Sequence, residues 1–250
     1  MELDIVITMG GAGSRFRKAG YDIPKYMIEV RGKTLFEWSM LSLKGYEAVA
    51  DRYIFVAMRD VKVDAEEFIR EKCLLLGIKN YKIIILEYLT DGQADTAMMA
   101  EQYWQAKHGL LVYNIDTYVE SDALRIDDIH GDGFIPCFRA SGRHWSFVRI
   151  DGNGRAVEIR EKEKISDNCT IGAYYFSSCE LYSKLYHEFY ADEKVLDSIV
   201  NREKYIAPLY NYLLSQGGEI YIADVPAAKV HVLGTPEELE KFRKQENADD

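Results

Sequence analysis

The chain begins with an apolar segment, residues 4–9, that leads directly into a glycine-rich loop at residues 10–16. A short run rich in Ile and Val is typical of a buried strand. Three glycines within four positions leave backbone amides exposed, because no Cβ atoms hold a ligand away. Arg15 and Lys25 add two cations. The planar guanidinium of Arg15 and the compact ammonium of Lys25 can both bind phosphate oxygens. The segment therefore predicts a strand that ends at a site for a nucleoside triphosphate.

Two common phosphate-binding loops are excluded by their spacing. A P-loop would read G-x-x-x-x-G-K-S/T, and no Lys-Ser or Lys-Thr follows these glycines at that spacing. In a dinucleotide fingerprint, Phe16 would stand at the third glycine position. The acidic residue expected about 20 positions later, at the end of the second predicted strand, is also missing, since Asp60 comes much too late. A plain tight turn is the alternative for these glycines, and the nearby Arg15 and Lys25 favour phosphate binding.

The rest of the chain alternates predicted strands and helices. Helices are predicted at 35–43, 64–76 and 96–107, and strands at 53–58, 81–86 and 110–115. Short strands follow at 134–138, 146–150 and 156–159. A final helix is predicted from Thr235 as cap, with Pro236 in its first turn and Glu238 completing a capping box. The pattern predicts an α/β fold of three α/β/α layers, Rossmann-like, around a mixed and mainly parallel sheet.

Composition limits the class of protein and of partner. At 250 residues we expect one domain, 1–250, and no stretch of the chain approaches the roughly 18 apolar residues of a membrane helix. The formal charge of −10 argues against a nucleic-acid partner, which would require a basic face. The four cysteines form no C-x-x-C pair, so we expect mostly buried, reduced thiols in a cytoplasmic protein. The sequence begins directly with a predicted core strand, so we expect no signal peptide.

The glycine loop with Pro24-Lys25 resembles the G-G-x-G-S/T-R…P-K signature of the sugar-phosphate nucleotidylyltransferases. Further segments match that family in its own order: Asp91-Gly92-Gln93-Ala94, Asn114-Ile115-Asp116, Glu161-Lys162, Gly172-Ala173-Tyr174-Tyr175-Phe176 and Gly234-Thr235-Pro236-Glu237-Glu238-Leu239. The resemblance implies a GT-A-like fold. Within that fold we expect the short strands at 134–138, 146–150 and 156–159 to form a β-rich lip over the acceptor site. It also implies transfer of a nucleotidyl group to a small phosphorylated acceptor, with release of pyrophosphate. The short chain is similar to small bacterial members that make precursors of capsule or lipopolysaccharide.

The resemblance assigns roles to particular residues. Arg15, Lys25 and Lys162 would be the catalytic cations, and Asp116 at the end of a strand would bind Mg²⁺. Glu161, Lys162 and Gly172 would bind the acceptor. The nucleotide would contact Met9, Gly10, Gly11, Ala12, Gly13, Ser14, Glu87, Thr90, Gly92 and Gln93. The missing side chain of Gly92 would let the nucleobase approach the backbone. Two simpler interpretations stay open: Asp116 caps a turn, and Glu161-Lys162 belong to the solvated charge run 160–164.

Two positions depart from the family pattern. Val232 stands where members usually carry a second aspartate, so either one carboxylate holds the metal or His231 or Asp224 substitutes for it. Glu87 stands where members that use UTP or dTTP commonly carry Gln. An ionised carboxylate only accepts hydrogen bonds, and it therefore favours an amino-bearing base, in CTP or GTP.

Two other functions remain as alternatives. A nucleotide-sugar glycosyltransferase would share the fold, but its usual D-x-D motif is absent from Asp116-Thr117-Tyr118. A catalytically silent regulatory domain would bind nucleotide without turnover, which the missing second aspartate would allow. The sequence leaves the acceptor and a homo-oligomeric state open.

Overall fold

The computed structural model describes residues 1–199 and 202–245. The helices are Ser14–Lys18 (α1), Leu35–Leu41 (α2), Ala65–Leu76 (α3), Gln93–Met98 (α4), Cys179–Tyr190 (α5), Glu193–Ser198 (α6), Ala207–Ser215 (α7) and Pro236–Lys244 (α8). The strands of the first half are Leu3–Met9 (β1), Glu29–Val30 (β2), Lys33–Thr34 (β3), Ala50–Met58 (β4), Tyr81–Leu86 (β5), Gly109–Asn114 (β6) and Thr117–Val119 (β7). Those of the second half are Gly133–Arg139 (β8), Ser146–Ile150 (β9), Ala156–Glu161 (β10), Asn168–Thr170 (β11), Ala173–Phe176 (β12), Ile220–Asp224 (β13) and Val230–Val232 (β14).

Ten of these strands form one mixed sheet. Its order is β10-β9-β11-β8-β12-β6-β1-β4-β5, and β13 pairs with β8. The strands β6, β1, β4 and β5 are parallel neighbours. Of the three strands predicted to form the β-rich lip, β9 and β10 lie with β11 at one edge of this sheet and are paired antiparallel. The third, β8, lies further inside the sheet, between β11 and β12. The α/β fold with a mixed sheet between helices is confirmed.

Both faces of the sheet are buried, which explains the continuous apolar strands of the sequence. Successive strand residues point to opposite faces. Thus Leu3, Ile5 and Ile7 contribute to one core cluster, while Val6 contributes to the cluster on the other face. Such strands need helices on both sides, as the alternating pattern predicts.

Most predicted elements are confirmed, with one clear exception. Helix α3 begins after its cap Asp64 and ends at Gly77 in the left-handed region, as predicted. The helix predicted at 96–107 is wrong: α4 ends at Met98, and only a 3₁₀ turn follows at Glu101–Tyr103. Contacts of the segment after Met98 with β1 prevent the helix from continuing.

A short two-stranded ribbon and a small apolar core hold α8 in place. Strands β7 and β14 pair antiparallel. Helix α8 follows, and its Leu239 and Phe242 are buried with Phe16, Leu35 and Leu233 in a third apolar cluster. All four cysteines are free and buried, as predicted. Within the described residues no helix is long and apolar enough to span a bilayer.

Candidate active site

A cleft of about 400 Å³ opens where the carboxyl ends of β1 and β6 lie side by side. Ligands of parallel α/β sheets bind at this edge, and the volume suits a small-molecule ligand. Ten residues singled out from the sequence line it: Gly10, Gly11, Arg15, Lys25, Thr90, Gly92, Gln93, Asp116, Glu161 and Gly172. The structure therefore brings together motifs from Gly10 to Gly172, which are far apart in the chain.

Six singled-out residues lie elsewhere. Met9, Ala12 and Gly13 line a smaller neighbouring pocket of about 180 Å³, which shares Gly11 and Lys25 with the cleft. Ser14, Glu87 and Lys162 line neither cavity.

The glycine loop presents open backbone and a free cation. A methyl group added to Gly11 would meet no atom within 4 Å, so this part of the loop is accessible from the cleft. Gly13 has φ +60°, a conformation that favours glycine, and it turns the chain into α1. Arg15 then stands exposed on α1, and its guanidinium forms no ion pair within residues 1–199 and 202–245. The loop thus offers amides and one uncompensated positive charge.

Lys25 and Asp116 form an ion pair inside the cleft. Lys25 Nζ donates to Asp116 Oδ2 at 2.6 Å, and the two side chains are 19% and 24% exposed. Asp116 follows the end of β6, as predicted. Its backbone carbonyl accepts from the Leu233 amide at 2.8 Å, which fixes the carboxylate beside the ribbon that leads to α8.

A polar network that sequence reasoning missed forms part of the cleft wall. Thr8 and Asn114 are paired across β1 and β6, and Gln93 Nε2 donates to the Asn114 side-chain oxygen. Thr8 Oγ1 lies 3.5 Å from the same oxygen. Polar residues at the carboxyl ends of two apolar strands were the available signal. Gly172 lies against this network, because its φ is +84° and an added Cβ would be 2.5 Å from Asn114 Nδ2.

The role expected for Gly92 does not agree with its surroundings. We expected its missing side chain to admit a nucleobase. Instead, a Cβ at Gly92 would lie 2.5 Å from the carbonyl oxygen of Lys204. Backbone hydrogen bonds hold that segment in place: Ala94 donates to Lys204 at 2.9 Å, and Lys204 donates to Asp91 at 2.7 Å. Gly92 therefore makes room for the chain at Lys204, although it still borders the cleft.

The position of Glu87 does not support contact with the base. Arg59 Nε donates to both of its carboxylate oxygens at 2.7 Å. The Glu87 side chain is 63% exposed and lies outside the cleft. The hydrogen bond from Arg59 holds the pKa of Glu87 below its ordinary value. The ion pair with Arg59 explains the position of Glu87 without a nucleotide, and the preference for CTP or GTP stays a prediction.

Glu161 lies with hydroxyl groups in a partly buried cluster. Ser146 Oγ donates to Glu161 Oε2. Tyr174 and Thr170 share a hydrogen bond at 3.0 Å beside them, and all four residues line the cleft. Burial raises the pKa of Glu161 and raises that of Tyr174 to about 12. This surface can exchange hydrogen bonds with hydroxyl groups of a ligand.

Lys162 lies at the rim of the cleft. Its Nζ donates to the Tyr205 hydroxyl at 2.6 Å and lies 4.4 Å from the centroid of that ring. Its φ of +57° is uncommon for a residue with a side chain. The Lys162 side chain is 54% exposed, and Tyr205 itself lines the cleft. The Lys162 ammonium is therefore held next to the cleft by Tyr205.

Neither suggested substitute for the second aspartate reaches the cleft. His231 stacks on Tyr118 with ring centroids 5.3 Å apart, and burial lowers its pKa. Asp224 is exposed beside Arg139. A group of Asp4, Asp51 and His108 could hold a metal ion, but it lies at the amino ends of the strands, away from this cleft.

Comparison with solved structures places the chain among nucleotidyltransferases. It is 36% identical to the nucleoside-diphosphate-sugar pyrophosphorylase from Vibrio cholerae RC9, with a TM-score of 0.88 over 96% of this chain and 100% of that one. The inositol-1-phosphate CTP transferase from T. maritima is 18% identical, with a TM-score of 0.74 over 98% of this chain and 94% of that one. The CTP:phosphocholine cytidylyltransferase from Streptococcus pneumoniae is 14% identical, with a TM-score of 0.73 over 98% of this chain and 99% of that one. The last two show a shared fold alone.

A scan against protein-family models gives no match, and a search of curated proteins gives none either.

Proposed function

Because this chain belongs to the sugar-phosphate nucleotidylyltransferase family, we propose that it joins a nucleoside triphosphate to a sugar 1-phosphate and releases pyrophosphate. The acceptor's phosphate oxygen attacks the α-phosphorus in line, and the bond to the leaving pyrophosphate breaks. One observation carries the proposal: Arg15, Lys25, Asp116 and Glu161 converge in one cleft. Few side chains need to react in such a transfer, because the main tasks are alignment and charge neutralisation.

The glycine loop and its cations suit the triphosphate. The open backbone at Gly10-Gly11 can approach phosphate oxygens closely, and Arg15 has no competing carboxylate among the described residues. Arg15 would stabilise the β- and γ-phosphates and the leaving pyrophosphate. Lys25 would bind the α-phosphate, after its ammonium turns from Asp116 towards the nucleotide.

Asp116 fits a divalent cation. Its carboxylate lies in the cleft beside the polar side chains of Asn114 and Thr117, and hard cations prefer oxygen ligands. We propose Mg²⁺ as that cation. A bound divalent cation would neutralise charge on the phosphates and bring the α-phosphate to the acceptor.

The cluster around Glu161 suits the acceptor. Glu161 would accept hydrogen bonds from sugar hydroxyls, and Ser146 would keep its carboxylate oriented. Lys162 would leave Tyr205 and bind the acceptor's phosphate, since Nζ is already at the rim. Gly172 contributes indirectly, because it gives Asn114 its place in the wall.

A phosphocholine-like acceptor is the second candidate. Trp145, His144 and Tyr205 line the cleft together with the carboxylates of Glu161 and Glu203. Aromatic faces with nearby carboxylates are typical of sites for quaternary ammonium groups. The solved cytidylyltransferase from Streptococcus pneumoniae is described as acting with CTP and phosphocholine.

The wider biological setting is also a proposal. We place the product among precursors of capsule or lipopolysaccharide, on the basis of the family resemblance. Four free, buried cysteines fit a reducing compartment such as the cytoplasm. The continuous ten-stranded sheet supports a single domain.

Pyrophosphate release tests the proposal. The four common ribonucleoside triphosphates and dTTP are each combined with a panel of sugar 1-phosphates, phosphocholine and inositol phosphate, with Mg²⁺ present. Release that requires both partners is the expected result, and it identifies base and acceptor together. Nucleotide binding by calorimetry without release from any pair would favour the silent regulatory domain. Release of free nucleoside diphosphate from a nucleotide sugar would favour the glycosyltransferase.

A further inference from the structure

Glu238 carries a carboxylate oxygen that the fold leaves unsatisfied. It lies in the first turn of α8, where the sequence predicts a capping box with Thr235. Only half of that box forms: Thr235 Oγ1 accepts from the Glu238 amide at 3.2 Å, and the side chain of Glu238 does not return the bond. Instead, Glu238 Oε2 is buried and has no hydrogen-bond partner within the described part of the chain. A buried oxygen of this kind requires an explanation, because nearly all such atoms in folded proteins are paired.

The unsatisfied oxygen of Glu238 lies near the carboxylate of Asp116. Both residues line the cleft. A methyl group added to Gly234 would lie 3.1 Å from Asp116 Oδ2 and 3.7 Å from Glu238 Oε2, so the two oxygens are within about 7 Å of each other. Gly234, which has no side chain, leaves the space between them free.

The charges around this space are not balanced. Lys25 neutralises Asp116 through the contact at 2.6 Å. Glu238 forms no ion pair among residues 1–199 and 202–245. An additional cation would therefore satisfy an oxygen that no protein group reaches.

The first turn of α8 is held firmly enough to place a ligand. Leu239, next to Glu238 in sequence, is fully buried, and Phe242 is 2% exposed. Phe242 packs edge-on against Trp38 with ring centroids 5.2 Å apart. The helix cannot rotate about its axis without exposing these side chains, so the direction of Glu238 is set by packing.

We propose that Glu238 is the second carboxylate ligand of the divalent cation held by Asp116. It supplies, from a helix, the charge that Val232 on β14 cannot supply. Two carboxylates with phosphate oxygens and water complete a site of the kind that Mg²⁺ and Mn²⁺ occupy. The inference rests on the proposed function for the nucleotide in the cleft, but the ligand assignment can be tested without turnover.

Mn²⁺ binding to the full chain tests the assignment. Free Mn²⁺ is measured by its electron paramagnetic resonance signal, with no nucleotide present. Glu238→Gln is expected to weaken the Mn²⁺ site at least about tenfold, since loss of a direct ligand exceeds the effect of a supporting residue. Glu237→Gln is the matched control, because Glu237 is exposed in the same turn of α8. A carboxylate restored as Val232→Asp in the Glu238→Gln protein should recover part of the affinity.

The outcomes separate this inference from the proposed reaction. Equal Mn²⁺ affinity in the wild type and Glu238→Gln, or no Mn²⁺ site in the wild type, would overturn the ligand assignment even if pyrophosphate is released. Loss of Mn²⁺ binding in Glu238→Gln alone would uphold it, even if no substrate pair reacts and the transfer reaction is wrong. If Glu238→Gln does not fold by circular dichroism, Glu238→Asp replaces it, because it keeps the charge but withdraws the carboxylate and should also weaken Mn²⁺.

Discussion

Replacing Gly172 by Ala should separate backbone strain from damage to the cleft. Gly172 has φ +84°, and its added Cβ would be 2.5 Å from Asn114 Nδ2. The left-handed conformation costs a residue with a Cβ about 1–2 kcal/mol. Displacing Asn114 from the packed wall adds about 1–3 kcal/mol. The free energy of unfolding should therefore fall by about 2–5 kcal/mol in total.

Gly217→Ala is the matched control for this experiment. Gly217 has nearly the same φ, +83°, but nothing lies within 4 Å of its added Cβ. It should lose only the strain component, about 1–2 kcal/mol. For a chain of this size, each kcal/mol lowers Tm by about 2–4 °C. The difference between the two variants isolates the contact with Asn114.

Activity gives the second measurement. Moving Asn114 also moves Gln93, to which it is hydrogen-bonded, so kcat/KM for pyrophosphate release should fall roughly ten- to a hundredfold in Gly172→Ala. Gly217→Ala should keep the wild-type value. Urea unfolding and steady-state kinetics measure both effects. Equal losses of stability in the two variants, with wild-type kcat/KM in Gly172→Ala, would refute the reasoning.

Three further predictions concern charged groups. Arg15→Ala should lower kcat roughly 100- to 1,000-fold, while Lys18→Ala on the same exposed helix should not; equal rates would exclude Arg15 from the reaction. Burial raises the pKa of Glu161 above 4.5, so the KM for acceptor should rise as pH falls through that raised pKa. Glu161→Gln should have a high KM for acceptor at every pH. If the rise of KM at low pH is the same in this variant as in the wild type, Glu161 does not have this role. Burial lowers the pKa of His231 below 6.5, so the unfolded chain binds the proton more readily and stability should fall below about pH 6.5. Urea unfolding at several pH values should show a smaller fall for His231→Gln, but not for the exposed His187→Gln.

The sequence predicted correctly those helices whose first and last residues are typical of helix ends. Asp64 and Gly77 bound α3 through a cap and a left-handed residue, and both are visible in sequence. The segment 96–107 has helical spacing, yet the Gln105 amide donates to Asp4 Oδ2 at 2.7 Å and Gly109 pairs with Leu3. These contacts with the first strand override the local preference, and only the sheet order reveals them.

The position of a cleft residue was predictable where it follows from the backbone, as at a glycine loop or a strand end. It was less predictable where the role of a side chain depends on its hydrogen-bond partner. The glycine loop and Asp116 lie where strand ends predict them. Glu87 could not be assigned, because its partner Arg59 lies 28 residues away on a neighbouring loop. Gly92 was singled out correctly as a position that excludes a side chain, but the atom that excludes it belongs to Lys204. A sequence shows that space is needed without showing which group fills it.

The small apolar cluster beneath α8 has a consequence for how the cleft can vary. Phe16 and Leu239, two of its members, are the direct chain neighbours of Arg15 and Glu238. The packing of Phe16 and Leu239 in this cluster thus sets the distance between the Arg15 guanidinium and the Glu238 carboxylate. A larger or smaller side chain at Phe16 or Leu239 would shift both Arg15 and Glu238, although neither of these two residues is itself replaced. Natural variation in this cluster should therefore be correlated, with a larger residue at one position accompanied by a smaller one at the other.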